Sequence, residues 1–273
     1  MQYLPNILFA IILITAIGYF AKNVKRLIRN IKLGKPVDVG DNKPQRFKNM
    51  AMIALGQSKM VRRPVSGFLH VVVYVGFIII NIEVLEIILD GIFGTHRIGL
   101  TVLPTAVYGF LIGTFEVLAC LVFVSVVVFW IRRNVLKLAR FWKSEMTSWP
   151  KNDANYILYI EIVLMTLFLI MNATDVDFQA LESGNIISQF IVPWFSNLSE
   201  TALHNMERVA WWLHIIGILL FLNYLYFSKH LHILLAFPNT YFGSLKPKGQ
   251  MTNVEAVTNE VKMMMDPNAD PFA

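Results

Sequence analysis

The sequence predicts an all-α integral membrane protein built as a bundle of five transmembrane helices. Hydrophobic residues make up 56% of the 273 residues and charged residues only 15%, a composition typical of membrane proteins. The apolar residues lie in blocks long enough, at about 1.5 Å per residue, to cross about 30 Å of hydrocarbon. We expect spans at Leu4–Ala21, Val65–Leu89, Leu103–Ile131, Tyr156–Ala173 and Val209–Ala236.

The positions of Lys and Arg predict the orientation of these spans. Of 24 such residues, 12 lie in 22–63, 6 in 132–151 and 4 from residue 229 onward, whereas the intervening segments hold only Arg97 and Arg208. The positive-inside rule places the basic stretches in the cytoplasm. We therefore expect the N-terminus outside, the C-terminus inside, and a multi-pass protein of the bacterial cytoplasmic membrane.

The first span and the net charge each allow a second interpretation. No positive charge precedes the first apolar block and a basic stretch follows it, which favours a retained span over a secretory signal. The net charge of +6 would suit nucleic acid, but the basic residues flank span ends, where they meet lipid headgroups. We expect no nucleic-acid partner.

The chain contains a single cysteine, Cys120, in the third span. An iron–sulfur cluster needs about four thiolates, so any cluster is expected to belong to a partner. We find no internal repeat of the inverted or parallel kind, which weakens the interpretation as a small transporter.

Two histidines at similar depth predict an inner heme site. His70 lies near the start of the second span and His232 near the end of the fifth, so a helical bundle can bring both rings to one porphyrin. Two imidazole ligands would make a six-coordinate heme b suited to electron transfer. Arg62, Arg63 and Lys229 lie near the same boundary and are candidates for pairing with heme propionates, or act only as topology anchors.

His214 and His230 complicate the assignment. On one continuous helix, His214 and His232 would share a stripe, because 18 residues make five turns. His230 would lie about 160° around that helix from His214, and it is the alternative inner ligand.

His214 has two candidate roles in the outer half of the membrane. It could bind a second heme if His96 or His204 folds back towards it, or it could exchange a hydrogen bond or proton with a quinone. We favour the quinone role.

Four carboxylates in the apolar blocks are candidates for a proton path. A buried carboxylate is costly unless it is paired, so each either carries protons or lies in a wet cavity without chemistry. Glu116 is the strongest candidate, and the full set is Glu116, Glu161, Glu83 and Glu86.

Two further segments lie outside the spans. Apolar and polar residues alternate around Pro193 in the stretch 183–207, which predicts an interfacial helix or a re-entrant lid. We expect a membrane domain at 1–237 and a cytoplasmic linker or docking strap at 238–273, with a short helix near Val254–Met265.

The order of spans and histidines resembles the cytochrome b gamma subunit of respiratory nitrate reductases. More closely, two segments resemble the N-terminal membrane portion of bacterial heterodisulfide-reductase-like iron–sulfur oxidoreductases. They are GQSKMVRRPVSGFLHVVVYVGF at 56–77 and WWLHIIGILLFLNYLYFSKHLHILLAFPN at 211–239.

The first resemblance implies two heme histidines in the second span and two partners in the fifth. This chain has Ile80 ten residues after His70, so the inner heme is expected and the outer heme is in doubt. The second resemblance implies a cysteine-rich cytoplasmic domain, provided either by a separate subunit or by a longer protein of which this is a fragment.

We therefore predict a heme b membrane subunit of a quinone-linked oxidoreductase. It would relay electrons between a cytoplasmic iron–sulfur protein or flavoprotein and the quinone pool of a respiratory chain. The alternatives are a heme-free membrane anchor for such a partner and, second, a small transporter.

Overall fold

The computed structural model describes residues 3–36, 38–146, 148–247, 249–250 and 253–266. These residues form helices, turns and irregular segments without a strand, which confirms the all-α prediction. Ten α-helices occur in this part of the chain: α1 (Leu4–Ile31), α2 (Lys43–Met50), α3 (Pro64–Phe93), α4 (Gly99–Val102), α5 (Thr105–Trp130), α6 (Trp149–Thr174), α7 (Val176–Ala180), α8 (Glu200–Leu225), α9 (His232–Tyr241) and α10 (Glu255–Met265).

Five of these helices, α1, α3, α5, α6 and α8, are long and apolar enough to cross a membrane. They pack mainly in a ring in chain order, and α8 returns to contact α1. The ring has a basic end, which carries the segments 32–36, 38–63, 131–146 and 226–247, and an acidic end, which carries the segments 94–104 and 175–199. Successive long helices therefore alternate in direction between the two ends.

Close packing of the ring depends on glycine at two contacts. A Cβ atom on Gly76 of α3 would overlap the side chain of Val122 on α5, and one on Gly91 would overlap the ring of Phe9 on α1. Phe9 is buried and also packs against Trp211 of α8, with ring centroids 5.6 Å apart. Small residues let helices approach closely where lipid gives no hydrophobic driving force.

The first four predicted spans fall on α1, α3, α5 and α6, and the third agrees with α5 to within two residues at each end. The other three are too short, because α1 continues ten residues past Ala21, α3 continues four past Leu89, and α6 begins seven before Tyr156. The fifth prediction, Val209–Ala236, is wrong at its C-terminal end, because α8 ends at Leu225. A turn and a 3₁₀ turn at Lys229–Leu231 then lead into α9. His214 and His232 therefore lie on different helices, and the predicted common stripe does not exist.

Short elements close both ends of the ring. At the acidic end, the predicted interfacial helix in 183–207 is replaced by two 3₁₀ turns, Ser188–Phe190 and Val192–Phe195, before α8 begins. At the basic end, α2 continues into a π-helical turn at Ala51–Leu55, and both pack against α9. The short helix predicted in the tail is confirmed by α10, whereas α9 crosses the expected boundary after residue 237.

Candidate functional site

A buried carboxylate on α6 fixes the point where α8 ends. Asp153 is 1% exposed and accepts hydrogen bonds from the Tyr224 hydroxyl at 2.6 Å and from the Lys229 backbone N–H at 3.1 Å. Ser228 adds a local cap, because its hydroxyl accepts a hydrogen bond from the His230 N–H. Two N–H groups that a continuous helix would use internally are thus satisfied elsewhere, and the chain turns.

A buried arginine holds the other end of α9. Arg46 of α2 donates from Nη1 to the backbone carbonyls of Tyr241 and Gly243, at 3.1 and 2.9 Å. Its remaining nitrogens donate to the carbonyl and carboxylate of Asp41. A cation at a helix C-terminus satisfies carbonyls that have no partner within the helix. Arg46 therefore docks α9 against α2 and helps fix the position of His232.

The structure brings His70 and His232 together. His70 lies near the start of α3 and His232 begins α9, and their ring centroids are 6.4 Å apart with an interplanar angle of 43°. Nδ1 of His232 lies 3.0 Å from the Lys229 carbonyl oxygen, whereas Nδ1 of His70 is buried without a hydrogen-bond partner. When the Lys229 carbonyl accepts a hydrogen bond from the Nδ1–H group of His232, the lone pair of Nε2 is free for a ligand.

The spacing of these rings fits two imidazoles on opposite sides of one metal. A ligating nitrogen lies about 2.0–2.1 Å from a metal and about 1.2 Å from the centre of its own ring, which gives about 6.4 Å between centroids. The partnerless Nδ1 of His70 is a second sign that this site is built for a group beyond the polypeptide. The distance between the two rings is therefore the one that a metal held by both residues would require.

His230 lies beside this pair and contacts Glu161 of α6. Its Nε2 lies 3.7 Å from Oε1 of Glu161, and its ring packs 5.4 Å from Phe221 and 5.4 Å from His232. Burial, with a smaller contribution from the charge of His232, lowers the pKa of His230 to about 4. The angle of about 160° between His214 and His230 assumed one continuous helix, and it no longer applies because α8 ends at Leu225. The contact of His230 with Glu161 is a separate reason to prefer His232 as the inner ligand.

A cleft of about 270 Å³ opens beside His70. Met60 and Phe129 provide apolar walls, and three cationic side chains line the cleft, those of Lys59, Arg63 and Arg140. Of the three residues predicted to meet propionates, only Arg63 lines it.

The other two predicted propionate partners lie elsewhere. Arg62 is exposed. The Lys229 ammonium donates to the Pro150 carbonyl, and burial lowers its pKa.

The outer candidates His214, His96 and His204 are not brought into contact with one another. His214 is 2% exposed, its Nδ1 lies 3.0 Å from the Leu164 carbonyl oxygen, and its ring packs against Phe168. His204 is exposed in the first turns of α8. Within the described ranges, no pair of histidines at the acidic end matches the arrangement of His70 and His232.

His96 belongs to a charged cluster at the acidic end. Its Nε2 lies 3.2 Å from Oδ2 of Asp175, which also accepts a hydrogen bond from Nε of Arg97 at 2.6 Å. Burial alone would raise the pKa of Asp175, but hydrogen bonds and charge from His96 and Arg97 lower it overall. The hydrogen bond to Asp175 raises the pKa of His96. The cluster joins the α3–α4 loop to the end of α6.

Glu116 is fully buried and satisfied by three hydrogen bonds. Its carboxylate accepts from Nδ2 of Asn172 at 3.0 Å and from the backbone N–H groups of Ile187 and Ser188 at 2.7 and 3.0 Å. These contacts fasten the 3₁₀ segment to the middle of the bundle. The structure thus gives Glu116 an anchoring role, and its place in a proton path stays a prediction.

Glu83 and Glu86 lie one turn apart on α3 in different environments. Glu86 accepts hydrogen bonds from the Gly99 N–H and the Tyr108 hydroxyl. Glu83 is 3% exposed, and its Oε2 has no hydrogen-bond partner. Both border a cavity of about 20 Å³ that also reaches His96, which is room for about one water. Of the four predicted carboxylates, Glu83 is therefore the one with an unused buried oxygen.

Sequence reasoning missed several residues that shape the basic end. Asp153, Arg46 and Arg140 act through contacts with distant segments, and Lys59 lines the cleft. In the sequence, Arg46, Lys59 and Arg140 resemble ordinary topology charges. Ser228 gave a usable signal, because serine is a preferred residue immediately before a helical turn.

Comparisons with known proteins give two relatives. The chain is 25% identical over 258 residues to the "Probable iron-sulfur-binding oxidoreductase FadF" of Bacillus subtilis, covering 94% of this chain and 35% of that protein. It is 23% identical over 220 residues to the "EtfAB:quinone oxidoreductase" of Syntrophomonas wolfei, covering 76% of this chain and 29% of that protein. The chain thus spans about a third of the length of these curated relatives.

No family model matches the chain, and no solved structure matches it significantly. The relatives agree with the predicted resemblance to iron–sulfur oxidoreductases. The resemblance to nitrate reductase gamma subunits stays a prediction.

Proposed function

We propose that this chain is a heme b membrane unit that relays electrons between an iron–sulfur or flavin redox partner and a membrane quinone. The observation that carries the proposal is the pairing of His70 with His232 at 6.4 Å between ring centroids. A heme b held by His70 and His232 would supply one-electron transfer, because two imidazole ligands would leave no open position on the iron for oxygen.

The chain's own residues provide the features that such a site needs. α3 is anchored in the ring, and α9 is docked by Arg46, so the two rings are positioned from separate rigid elements. The Lys229 carbonyl orients His232. A heme-free anchor would need none of these features, although 6.4 Å also suits two packed rings with no metal between them.

The redox partner and the quinone are supported by the printed names of the relatives. One is described as an iron–sulfur-binding oxidoreductase and the other as a quinone oxidoreductase. The only cysteine of this chain is Cys120, so a cluster would lie in another domain or subunit. The positive-inside rule places the basic end, with His70 and His232, on the cytoplasmic side.

Proton exchange with the quinone is assigned to the acidic half of the bundle. His214 keeps the role of hydrogen-bond or proton partner, because its ring is oriented by Leu164. Glu83 is the proposed proton carrier, because its Oε2 is buried without a hydrogen-bond partner and the residue lines the small cavity that reaches His96. Quinone chemistry needs such groups, since each two-electron reduction takes up two protons.

A reduced-minus-oxidised spectrum of the chain purified with a heme supply tests the proposal. We expect an α band at about 560 nm and one heme per chain. His70→Ala and His232→Ala should each remove the band, because each takes away an axial ligand. His204→Ala is the matched control, since His204 is exposed on α8, and it should retain the heme.

Two results would contradict the proposal at different levels. A folded wild-type chain without the band would support the heme-free anchor. Loss of heme in His230→Ala alone, with heme retained in His232→Ala, would show that the inner ligand was assigned to the wrong residue.

A further inference from the structure

The cleft beside His70 carries positive charge that forms no ion pair with an acidic residue in the described part of the chain. Lys59, Arg63 and Arg140 line it, and its lining contains no acidic residue. Arg140 and Arg132 both donate hydrogen bonds to the hydroxyl of Ser66, at 3.3 and 3.4 Å. This hydroxyl is a neutral acceptor and does not offset their charge. Nε of Arg132 is buried without a partner.

The electrostatic environment of Arg140 shows the same imbalance. Burial lowers the pKa of Arg140, and the positive charges of Arg63 and Arg132 lower it further. Clustered cations in a partly buried cleft repel one another, and an anion placed among them would form charge-assisted hydrogen bonds. The cleft therefore has the chemistry of a carboxylate or phosphate site.

The local fold brings these cations close to His70. The turn at 57–63 folds back against the first turns of α3, and a Cβ on Gly67 would lie 2.6 Å from the Met60 carbonyl oxygen. Only glycine permits this approach. On the other wall, α5 continues into a π-helical turn at Ile131–Val135, after which a 3₁₀ turn presents Arg140 towards Ser66.

We propose that this cleft is an anion cradle in which Arg63 and Arg140 bind the carboxylates of a porphyrin held by His70 and His232. The inference rests on the proposed function and deepens it. It replaces Arg62 and Lys229 as propionate partners with Arg140 and Lys59, because the cleft is lined by the latter two. Met60 and Phe129 beside the cations are apolar, which suits a ligand with a flat apolar body and an anionic edge.

The double variant R63Q/R140Q tests the cradle. We expect the heme to remain six-coordinate but to bind about tenfold more weakly, the effect of losing roughly one charge-assisted hydrogen bond. Its midpoint potential should fall, because two positive charges that favour the reduced site are gone. The propionate bending modes in the resonance Raman spectrum should shift as well.

Two matched variants make the result specific. R62Q/K48Q removes the same charge from the same end at two exposed residues outside the cleft, and it should leave heme affinity and the Raman modes unchanged. R63K/R140K keeps the charge and should restore most of the affinity. Arg63 and Arg140 are exposed, so neither substitution should prevent folding.

A phospholipid headgroup is the other source of an anion for this cleft. Native mass spectrometry of wild type and R63Q/R140Q, each from nanodiscs of phosphatidylglycerol and of phosphatidylcholine, separates the two sources. Loss of bound phosphatidylglycerol in the double variant, with unchanged heme affinity and Raman modes, would overturn the inference and leave the heme assignment intact. A wild-type chain that binds no heme would overturn the proposed function and the cradle with it.

Discussion

Replacing Arg46 by methionine should release α9 and with it His232. Methionine has a similar length and apolar stem but cannot donate the four hydrogen bonds that Arg46 makes. Two of these hold the end of α9 through the carbonyls of Tyr241 and Gly243. The Arg46 side chain is only 5% exposed, so water cannot simply take its place.

The magnitude follows from the two bonds to α9. A hydrogen bond from a charged donor contributes about 1.5–3 kcal/mol, which gives about 3–6 kcal/mol for both. Neighbouring bonds are not additive, and the freed carbonyls gain some water, so we expect a loss of about 2–4 kcal/mol in docking free energy. The undocked population of α9 should therefore rise by about 30- to 700-fold.

Hydrogen–deuterium exchange of the chain in nanodiscs measures this population. The amides of α9 should exchange faster by about that factor, while α3 and α5 keep their protection. Lys48→Met is the matched control, because Lys48 is exposed on the same helix and its loss removes the same charge. Heme affinity should fall in Arg46→Met and not in Lys48→Met.

Unchanged protection of α9 in a folded Arg46→Met chain would refute this reasoning. It would mean that packing against α2 alone holds α9, and that Arg46 does not position His232. Equal acceleration in both variants would instead point to a general effect of charge at the basic end.

Two further predictions concern the ring and the acidic end. Gly76→Ala should lower the melting temperature, because overpacking against Val122 costs about 1–3 kcal/mol. Gly18→Ala is the control and should not lower it, because a Cβ at Gly18 would meet open space. Equal melting temperatures for the two variants would contradict the packing argument. His96→Gln should destabilise the chain most at about pH 5.5 and least at about pH 9. The hydrogen bond to Asp175 raises the pKa of His96 above the ordinary histidine value of 6.5. The stabilisation from this pair is therefore complete below pH 6.5 and is lost as the pH rises through the raised pKa. A difference in melting temperature that does not change with pH would count against this pairing.

The sequence predicted the candidate ligands but not how they are positioned. His70 and His232 were identified from depth and charge, and the structure places their rings 6.4 Å apart. Their predicted relation to His214 was wrong, since a hydropathy pattern cannot show a helix end when apolar residues continue beyond it. The roles of Glu116 and Arg140 depend on contacts with segments more than 70 residues away.

Composition and charge determined that the chain crosses a membrane with five apolar helices, because each block must be long enough to span hydrocarbon and satisfy its own backbone. Only the tertiary structure decided where the fifth helix ends and which cations face the candidate ligands. Asp153 ends α8 from α6, and Arg46 docks α9 from α2. Such hydrogen bonds join residues distant in the chain, so no local pattern in the sequence contains them.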